Sequence, residues 1–151
     1  MLIFYTEKMN IIIKLIPYRS HRPSIKMDAP FFSLNGTSTS ATIVKVYDGD
    51  TVHAIFDFMG KPFKWKCRIA HVDTPELRTK NEEEKKKGYT VRDQLSELIL
   101  NKVVQLDCQE FDKYGRLLVE ITIPETNVRV HEWLIENGHA KAYEGGTKSA
   151  W

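Results

Sequence analysis

The sequence predicts an α+β fold in which a small five-stranded antiparallel β-barrel carries two helices. Five runs of alternating apolar and polar residues lie between residues 43 and 123, as expected for half-buried strands. A helical apolar stripe separates the third run from the fourth, and a shorter helical segment follows the fifth. A single domain of this length buries roughly 68–70% of its unfolded surface, which is enough for a hydrophobic core.

The first three strands follow one another closely. Residues 43–47 form a short β-rich run that ends at Asp48-Gly49-Asp50, because Gly tolerates positive φ and Asp bonds to its own nearby backbone. Residues 52–58 alternate next, and residues 60–62 (Gly-Lys-Pro) predict the following turn. The third run divides its side chains between the predicted core face and the opposite face. The core set is Phe63, Trp65, Cys67 and Ile69, and the opposite set is Lys64, Lys66 and Arg68.

Two helices and two further strands complete the pattern. Glu82 and Glu83 precede Lys86 and Lys87 by four residues, which supports a helix with a solvated face. Its apolar stripe is Val91, Leu95, Leu98 and Ile99. Alternation at residues 104–108 and 117–123 predicts the fourth and fifth strands, and residues 131–137 predict a short helix that ends at Gly138. This arrangement is typical of a small barrel of the OB type.

The N-terminal part has a different composition from the rest. Residues 1–40 contain three of the six prolines and end in a Ser, Thr, Asn and Gly-rich stretch, so we interpret them as an extension or linker before one domain at 41–151. Glu7, Lys8 and Lys14 interrupt the apolar N-terminus and leave no core of about 7–15 residues for a signal peptide. The lack of a clear signal peptide favours an intracellular location without establishing one. No stretch reaches the roughly 20 apolar residues that span a bilayer.

Charge and cysteine content set further limits. Residues 1–40 hold five Lys or Arg and two Asp or Glu, whereas residues 41–151 hold 17 and 18. The predicted domain is therefore slightly acidic, which excludes a protein that binds nucleic acid through overall positive charge and requires locally placed cations instead. Cys67 and Cys108 both lie on alternating runs and are predicted as buried thiols, with a disulfide as the alternative.

Oxygen ligands for a metal ion occur where strands meet loops. Asp50 and Asp73 each lie at such a junction, and Pro75 favours an extended conformation at Thr74 that can aim its backbone carbonyl at the same place. Hard oxygen ligands suit Ca²⁺ or Mg²⁺, and the sequence offers no Cys and His set for zinc. The alternative is that Asp-Gly and Asp-Thr-Pro are ordinary turn sequences.

Glu76, Arg68 and Arg116 supply the other groups that phosphodiester hydrolysis needs. Glu76 follows the Asp73 loop and is a candidate general base for a water beside the cation. The two arginines can bind phosphoryl oxygens as charge develops, since guanidinium matches phosphate in a bidentate geometry. Taken singly, each arginine is equally compatible with an ordinary surface position.

Three motifs, in order, resemble the staphylococcal nuclease (thermonuclease) family. They are Asp48-Gly-Asp50-Thr-Val, Arg68-x4-Asp73-Thr-Pro-Glu76 and Asp112-Lys113-Tyr114-Gly-Arg116. The resemblance covers about residues 41–143 and implies an OB-type barrel. It also implies a monomeric, Ca²⁺-dependent endonuclease, a hydrolase that cleaves DNA and RNA with little sequence preference and leaves 3′-phosphate ends.

The same resemblance implies roles for individual residues. Asp50 and Asp73 resemble the calcium carboxylates, and Thr74 resembles the calcium carbonyl ligand. Glu76 resembles the general base. Further roles follow in the same way: Arg68 and Arg116 as phosphate and transition-state ligands, Lys113 and Tyr114 near the substrate phosphate, and Asp48 in support of the metal site.

The sequence departs from the family pattern in several places. It reaches Trp151 without the family's usual last helix, so we expect that helix to be missing and the core to be smaller. The loop before Asp112 is short. His71 replaces a small or aliphatic residue and is expected to be a rim or partly buried histidine rather than a catalytic one. Tyr143 either stacks on a base, as a family tyrosine does near this end, or packs in the core.

Two other functions compete with an enzyme. One is a non-catalytic OB-fold module that binds single-stranded nucleic acid or proteins, and the other is a purely structural domain. Nuclease-like modules that have lost activity usually lose the acidic and arginine positions, all of which are present here. A purely structural role explains none of this clustering, so the sequence favours the enzyme.

Overall fold

A computed structural model describes residues 28–147 and 149–151. The unit Phe32–Trp151 contains every element discussed below. Most of the predicted extension, residues 1–27, lies outside the described residues. The strands are β1 (Ser38–Val46), β2 (Thr51–Phe58), β3 (Lys61–Ile69), β4 (Val72–Asp73), β5 (Val103–Phe111), β6 (Leu117–Ile123), β7 (Val128–Arg129) and β8 (Lys141–Ala142). The helices are α1 (Glu82–Ile99) and α2 (Val130–Glu136).

The strands form a closed five-stranded barrel. The order β3-β2-β1-β5-β6 is antiparallel throughout, and β3 then pairs with β6 to close it. The closing pair is parallel, with Cys67 opposite Leu117 and Ile69 opposite Val119. The predicted fold class, an OB-type α+β barrel with two helices, is therefore confirmed. The short strands β4 and β8 pair separately, and β7 extends the sheet beyond β6.

The hairpin between β2 and β3 turns earlier than predicted. Met59 and Gly60 have φ values of 51° and 76°, so the turn has two residues in the left-handed region. Strands that are joined by two such residues keep the twist of the sheet. Lys61 consequently begins β3, and Pro62 lies within the strand opposite Asp57. The predicted turn at 60–62 is wrong by about one residue, because Pro is tolerated near a strand end.

Both helices form where the sequence places them. The Asn81 side chain caps α1 by accepting hydrogen bonds from the backbone N–H of Glu83 and Glu84. The predicted stripe faces the core, with Val91, Leu95 and Ile99 buried. Helix α2 begins one residue before its predicted start, and Gly138 follows it with φ of 70°. Beyond it, the described residues form β8, turns and irregular chain up to Trp151.

Alternating residues of the five long strands fill the barrel, and α1 and α2 contribute further apolar residues to the core. Cys67 and Cys108 are buried free thiols, as predicted, and burial raises the pKa of Cys67 to about 12 and that of Cys108 to about 11. Leu34 is 4% exposed and belongs to this core, although it precedes β1. Among the described residues, neither helix is long and apolar enough to span a membrane.

Candidate active site

A cavity of about 780 Å³ opens on the outer face of β3 and β6 and is bordered by the β5–β6 turn and the segment after β8. Seven of the nine predicted site residues line it. These are Asp50, Arg68, Glu76, Lys113, Tyr114, Arg116 and Tyr143. The other two, Asp73 and Thr74, are buried beside it, 3% and 4% exposed. The structure thus brings together residues that lie as many as 93 positions apart in the sequence.

The turn that carries Asp50 packs directly on the loop that carries Thr74. The Asp48 carboxylate accepts hydrogen bonds from the backbone N–H of Asp50 (3.1 Å) and Thr51 (2.7 Å), which holds the turn in shape. A Cβ atom on Gly49 would lie 2.8 Å from Cβ and Oγ1 of Thr74 and 2.9 Å from Cγ1 of Val91. Glycine at position 49 therefore permits the contact between the two acidic loops.

Arg68 joins Asp50 to the neighbourhood of Asp73. Its Nη2 atom lies 3.1 Å from Oδ2 of Asp50 and donates a hydrogen bond of 2.8 Å to the carbonyl of Val72. Arg68 lies on the face of β3 opposite the core, as predicted, yet it is only 8% exposed. The Tyr143 ring covers it, with the ring centroid 5.6 Å from the guanidinium carbon.

Arg116 approaches Asp50 from the β5–β6 turn. Its Nη1 atom lies 3.9 Å from Oδ1 of Asp50 and donates to Oγ1 of Thr51 at 3.0 Å. Its Nε atom donates to Oδ2 of Asp112 at 2.7 Å. Burial alone would raise the pKa of Asp112, but hydrogen bonds from Arg116 and Tyr114 outweigh burial and hold that pKa below its ordinary value. The charged Asp112 thus orients Arg116 toward the cavity.

The Asp50 carboxylate is the point at which both arginines meet. Burial raises the pKa of Asp50 to about 6, although the nearby Arg68 guanidinium favours its charged form. The Thr51 hydroxyl also donates to Asp50, at 2.9 Å. A cation bound to this carboxylate would favour the charged form further, since burial penalises an uncompensated charge.

The oxygen atoms at these positions are of the type that a hard divalent cation binds. Asp50 and Asp73 would contribute carboxylates and Thr74 a backbone carbonyl, which is the ligand chemistry of Ca²⁺ or Mg²⁺. Within the described residues, no group of three or more His, Cys, Asp or Glu side chains forms a metal site. A cation here would therefore depend on these two carboxylates, the carbonyl and water.

Glu76 is held at the mouth of the cavity by α1. Its backbone N–H donates to Oε1 of Glu84 at 3.1 Å, and the Thr79 hydroxyl donates to Oε2 of the same residue at 2.9 Å. A Cβ atom on Gly88 would lie 2.9 Å from the Pro75 carbonyl, so the helix packs against the backbone of the loop. The Glu76 side chain is exposed and lines the cavity, where water can reach it.

Three further predicted residues border the cavity. Tyr114 is 69% exposed, and its ring lies 5.1 Å from Nζ of Lys113 and 5.6 Å from the guanidinium carbon of Arg116. Tyr143 donates its hydroxyl to the Gly146 carbonyl at 2.8 Å. Of the two positions predicted for Tyr143, core or cavity, the structure has it at the cavity. Aromatic and basic side chains that alternate in this way suit phosphates and bases.

The pattern of the family described as staphylococcal nuclease homologue matches residues 66–150, more than half of the chain. The chain belongs to the staphylococcal nuclease homologue family. An uncharacterized protein of Methanocaldococcus jannaschii is 31% identical over 67% of this chain and 58% of its own length. An uncharacterized endonuclease of Escherichia coli is 28% identical over 68% of this chain and 60% of its own length. One from Escherichia coli O157:H7 matches to the same extent. The chain thus spans about three fifths of these relatives.

A polar cluster in the wall of the cavity was not predicted from the sequence. His71 Nδ1 lies 2.9 Å from Oε1 of Glu144, and its Nε2 lies 3.1 Å from Oε1 of Glu120. Gln109 and Arg129 also bind Glu120. Burial would lower the pKa of His71, but the two carboxylates reverse the effect and raise that pKa. His71 is partly buried, as predicted, whereas no local pattern links it to residues 49 and 73 positions away.

Proposed function

We propose that this domain is a Ca²⁺-dependent nuclease, a hydrolase that cleaves phosphodiester bonds of DNA and RNA and leaves 3′-phosphate ends. One observation supports this most: Arg68 and Arg116 approach opposite oxygens of Asp50 at 3.1 Å and 3.9 Å, and Glu76 lines the same cavity. A hydrolytic site for phosphodiesters needs a base for water on one side of the phosphate and donors for the developing charge on the other.

The arginines are suited to bind the phosphoryl group. Arg116 uses Nε for Asp112 and Nη1 for Thr51, and within the described part of the chain its Nη2 makes no hydrogen bond. A guanidinium group has five N–H donors, so donors of both Arg68 and Arg116 remain for phosphate oxygens. Because their side chains are held by neighbouring groups before the substrate binds, they need little reorganisation as charge develops.

Glu76 is suited to accept the proton of the attacking water. In the proposed reaction the water oxygen bonds to phosphorus and one water proton passes to the Glu76 carboxylate. The bond from phosphorus to the 5′-oxygen breaks, and the 5′-oxygen leaves with the electron pair and takes a proton from solvent water. A bound Ca²⁺ would supply positive charge next to the phosphate and the attacking water. Asp50, Asp73 and Thr74 are the residues that would hold it, and Asp48 would keep Asp50 in position through the turn.

Digestion of plasmid DNA and of RNA tests this function directly. The full chain is incubated with Ca²⁺, with Mg²⁺ or with chelator, and the product ends are identified by their response to a phosphatase and a 3′-phosphate-dependent ligation. We expect cleavage of both substrates with Ca²⁺, none with chelator, and 3′-phosphate ends. Binding without cleavage under all conditions would instead support a non-catalytic OB-fold module.

A further inference from the structure

A second groove adjoins the candidate active site, and most of the residues that line it have no role in the proposed chemistry. It has a volume of about 520 Å³ and shares Asp48, Lys66 and Glu76 with the first cavity. Its other walls include Lys45, Tyr47, His53 and Arg78. We refer to Lys45, Tyr47, His53, Lys66 and Arg78 as the Tyr47 groove. Because the two cavities share lining residues, a linear polymer bound in the first can extend into the second.

The register of the barrel aligns these residues with Arg68. Lys45 of β1 pairs with His53 of β2, which pairs with Lys66 of β3, so the three side chains form one row on the outer face. The next row on that face contains Thr51 and Arg68, which pair with each other, and Tyr47 donates its backbone N–H to the Thr51 carbonyl at 2.8 Å. The Tyr47 groove therefore continues the surface that carries Arg68.

Tyr47 offers an aromatic surface between two cations. Nζ of Lys45 lies 5.8 Å from its ring centroid, and the guanidinium carbon of Arg78 lies 5.9 Å from it. Tyr47 is 37% exposed and lines the groove. An accessible ring flanked by cations is the combination with which proteins bind single-stranded nucleic acid, through stacking on bases and attraction of phosphates.

Three cations, Lys45, Lys66 and Arg78, line this groove together with two carboxylates, Asp48 and Glu76. Within the described part of the chain, the three cations form no ion pairs. The pKa of His53 is lowered by burial and by the charges of Lys45, Lys64 and Lys66. Cations that cluster at one place on a slightly acidic domain indicate a surface that attracts an anion.

We infer that the Tyr47 groove binds a single-stranded stretch of the nucleic-acid chain that continues out of the candidate active site, with a base on Tyr47 and phosphates on Lys45, Lys66 and Arg78. This inference rests on the proposed function, which identifies the bound polymer as nucleic acid. It predicts that affinity rises with substrate length, because a short substrate fills the first cavity alone.

Fluorescence anisotropy tests the inference without cleavage. The full chain, with chelator present, is titrated into fluorescein-labelled dodecathymidylate, and unlabelled 5′-phosphorylated thymidine dinucleotide is used as competitor. We expect Tyr47→Ala to weaken dodecamer binding by about 5-fold to 100-fold and to reduce the advantage of the dodecamer over the dinucleotide. Tyr47→Phe should keep the wild-type affinity for the dodecamer, since the aromatic ring is retained. Tyr89→Ala is the matched control, because Tyr89 is 41% exposed, stacks with Arg92 and lines neither cavity.

Salt dependence provides an independent readout. Replacing both Lys45 and Arg78 with Ala should reduce the slope of log affinity against log salt by about 1.4, since each phosphate contact on a single strand contributes about 0.7. Lys61→Ala combined with Lys102→Ala removes the same charge elsewhere and should leave the slope unchanged.

The inference is overturned if Tyr47→Ala binds the dodecamer as the wild type does, or if it loses affinity for both lengths by one factor. It is also overturned if the wild type shows no advantage of length. A wild type that binds as expected but cleaves nothing with Ca²⁺ contradicts the proposed function and leaves the groove supported.

Discussion

At the residue scale, the candidate chemistry depends on three side chains that contact or approach the Asp50 carboxylate. Arg68 contacts one of its oxygens, and Thr51 and Arg116 approach the other. A change at any one of them alters charge at the point where we expect the cation and the phosphate to meet. Substitutions here should therefore affect the rate of bond cleavage much more than they affect the stability of the barrel.

Glu76→Gln keeps the size of the side chain and removes its capacity to accept a proton. We expect the single-turnover cleavage rate to fall by about 10²–10⁴, with the effect mainly on kcat. Glu136→Gln at the exposed end of α2 is the control. Circular dichroism should show that both variants fold, and near wild-type cleavage by folded Glu76→Gln would exclude Glu76 as the base.

Arg116→Lys keeps the charge and removes the planar set of donors. We expect cleavage to fall by about 10²–10³ in the single-turnover assay, because a point charge cannot replace a preorganised bidentate donor. Arg92→Lys, on the exposed face of α1 and paired with Asp93, is the matched control. If Arg116→Lys cleaves at the wild-type rate, Arg116 contributes charge alone.

At the element scale, the site is built where four connections meet on the outer face of β3 and β6. The β1–β2 turn carries Asp50, the β3–β4 segment leads to Asp73, the β5–β6 turn carries Arg116, and the loop before α1 carries Glu76. A register irregularity between Cys108 and Phe111 of β5 lies beside Gln109, which reaches the cavity wall.

Gly49→Ala tests whether contact between two of these loops positions the site. The new methyl group would overlap Thr74 and Val91, so we expect a loss of about 1–3 kcal/mol in the free energy of unfolding in urea. We also expect weaker Ca²⁺ binding by calorimetry, because the Asp50 and Thr74 loops must separate. Gly88→Ala is comparably crowded but lies against Leu77 and Pro75, so it should lower Ca²⁺ affinity less. Equal Ca²⁺ affinities for the two variants would contradict this view.

Local periodicity predicted the long elements and missed the short ones. The five long strands and α1 contain enough residues for a period of 2 or 3.6 to emerge, and Val91, Leu95 and Ile99 are buried as expected. Strands β4 and β8 have two residues each, too few for any period. The hairpin turn lies about one residue earlier than predicted because Met59 adopts a left-handed conformation, which is uncommon for a residue other than Gly, Asn or Asp.

At the scale of the whole molecule, the sequence predicts which residues share a face but not what covers that face. Alternation puts Arg68 opposite the core of β3, yet it is buried because Tyr143, from the far end of the chain, lies against it. The His71, Glu120 and Glu144 cluster depends on the same long-range packing. By contrast, each predicted site motif consists of residues that lie close together in the sequence, so it can be identified there, and the barrel brings the motifs together.

Truncation tests where the folded domain begins. Leu34 and Phe32 precede the predicted boundary at residue 41 and still contact the barrel. Leu34 is buried in the core, and the Phe32 ring centroid lies 5.5 Å from that of Phe58. A chain that begins at Thr39 should fold and cleave but should be less stable by about 1.5–3 kcal/mol, the value of burying one large apolar side chain. A chain that begins at Phe32 should match the full chain. Equal urea midpoints for the two truncations would place Leu34 outside the stabilising core.

The most direct test of the central claim is the single-turnover rate of oligonucleotide cleavage as a function of Ca²⁺ concentration, for the wild type and for Asp50→Ala. Asp57→Ala, an exposed aspartate on β2 that lines neither cavity, is the control. We predict that wild type and Asp57→Ala cleave with the same saturable dependence on Ca²⁺, and that folded Asp50→Ala does not cleave at any concentration that saturates the wild type. Cleavage that persists in chelator, or an unchanged Ca²⁺ dependence in Asp50→Ala, would contradict the assignment of this cavity as a cation-assisted nuclease site.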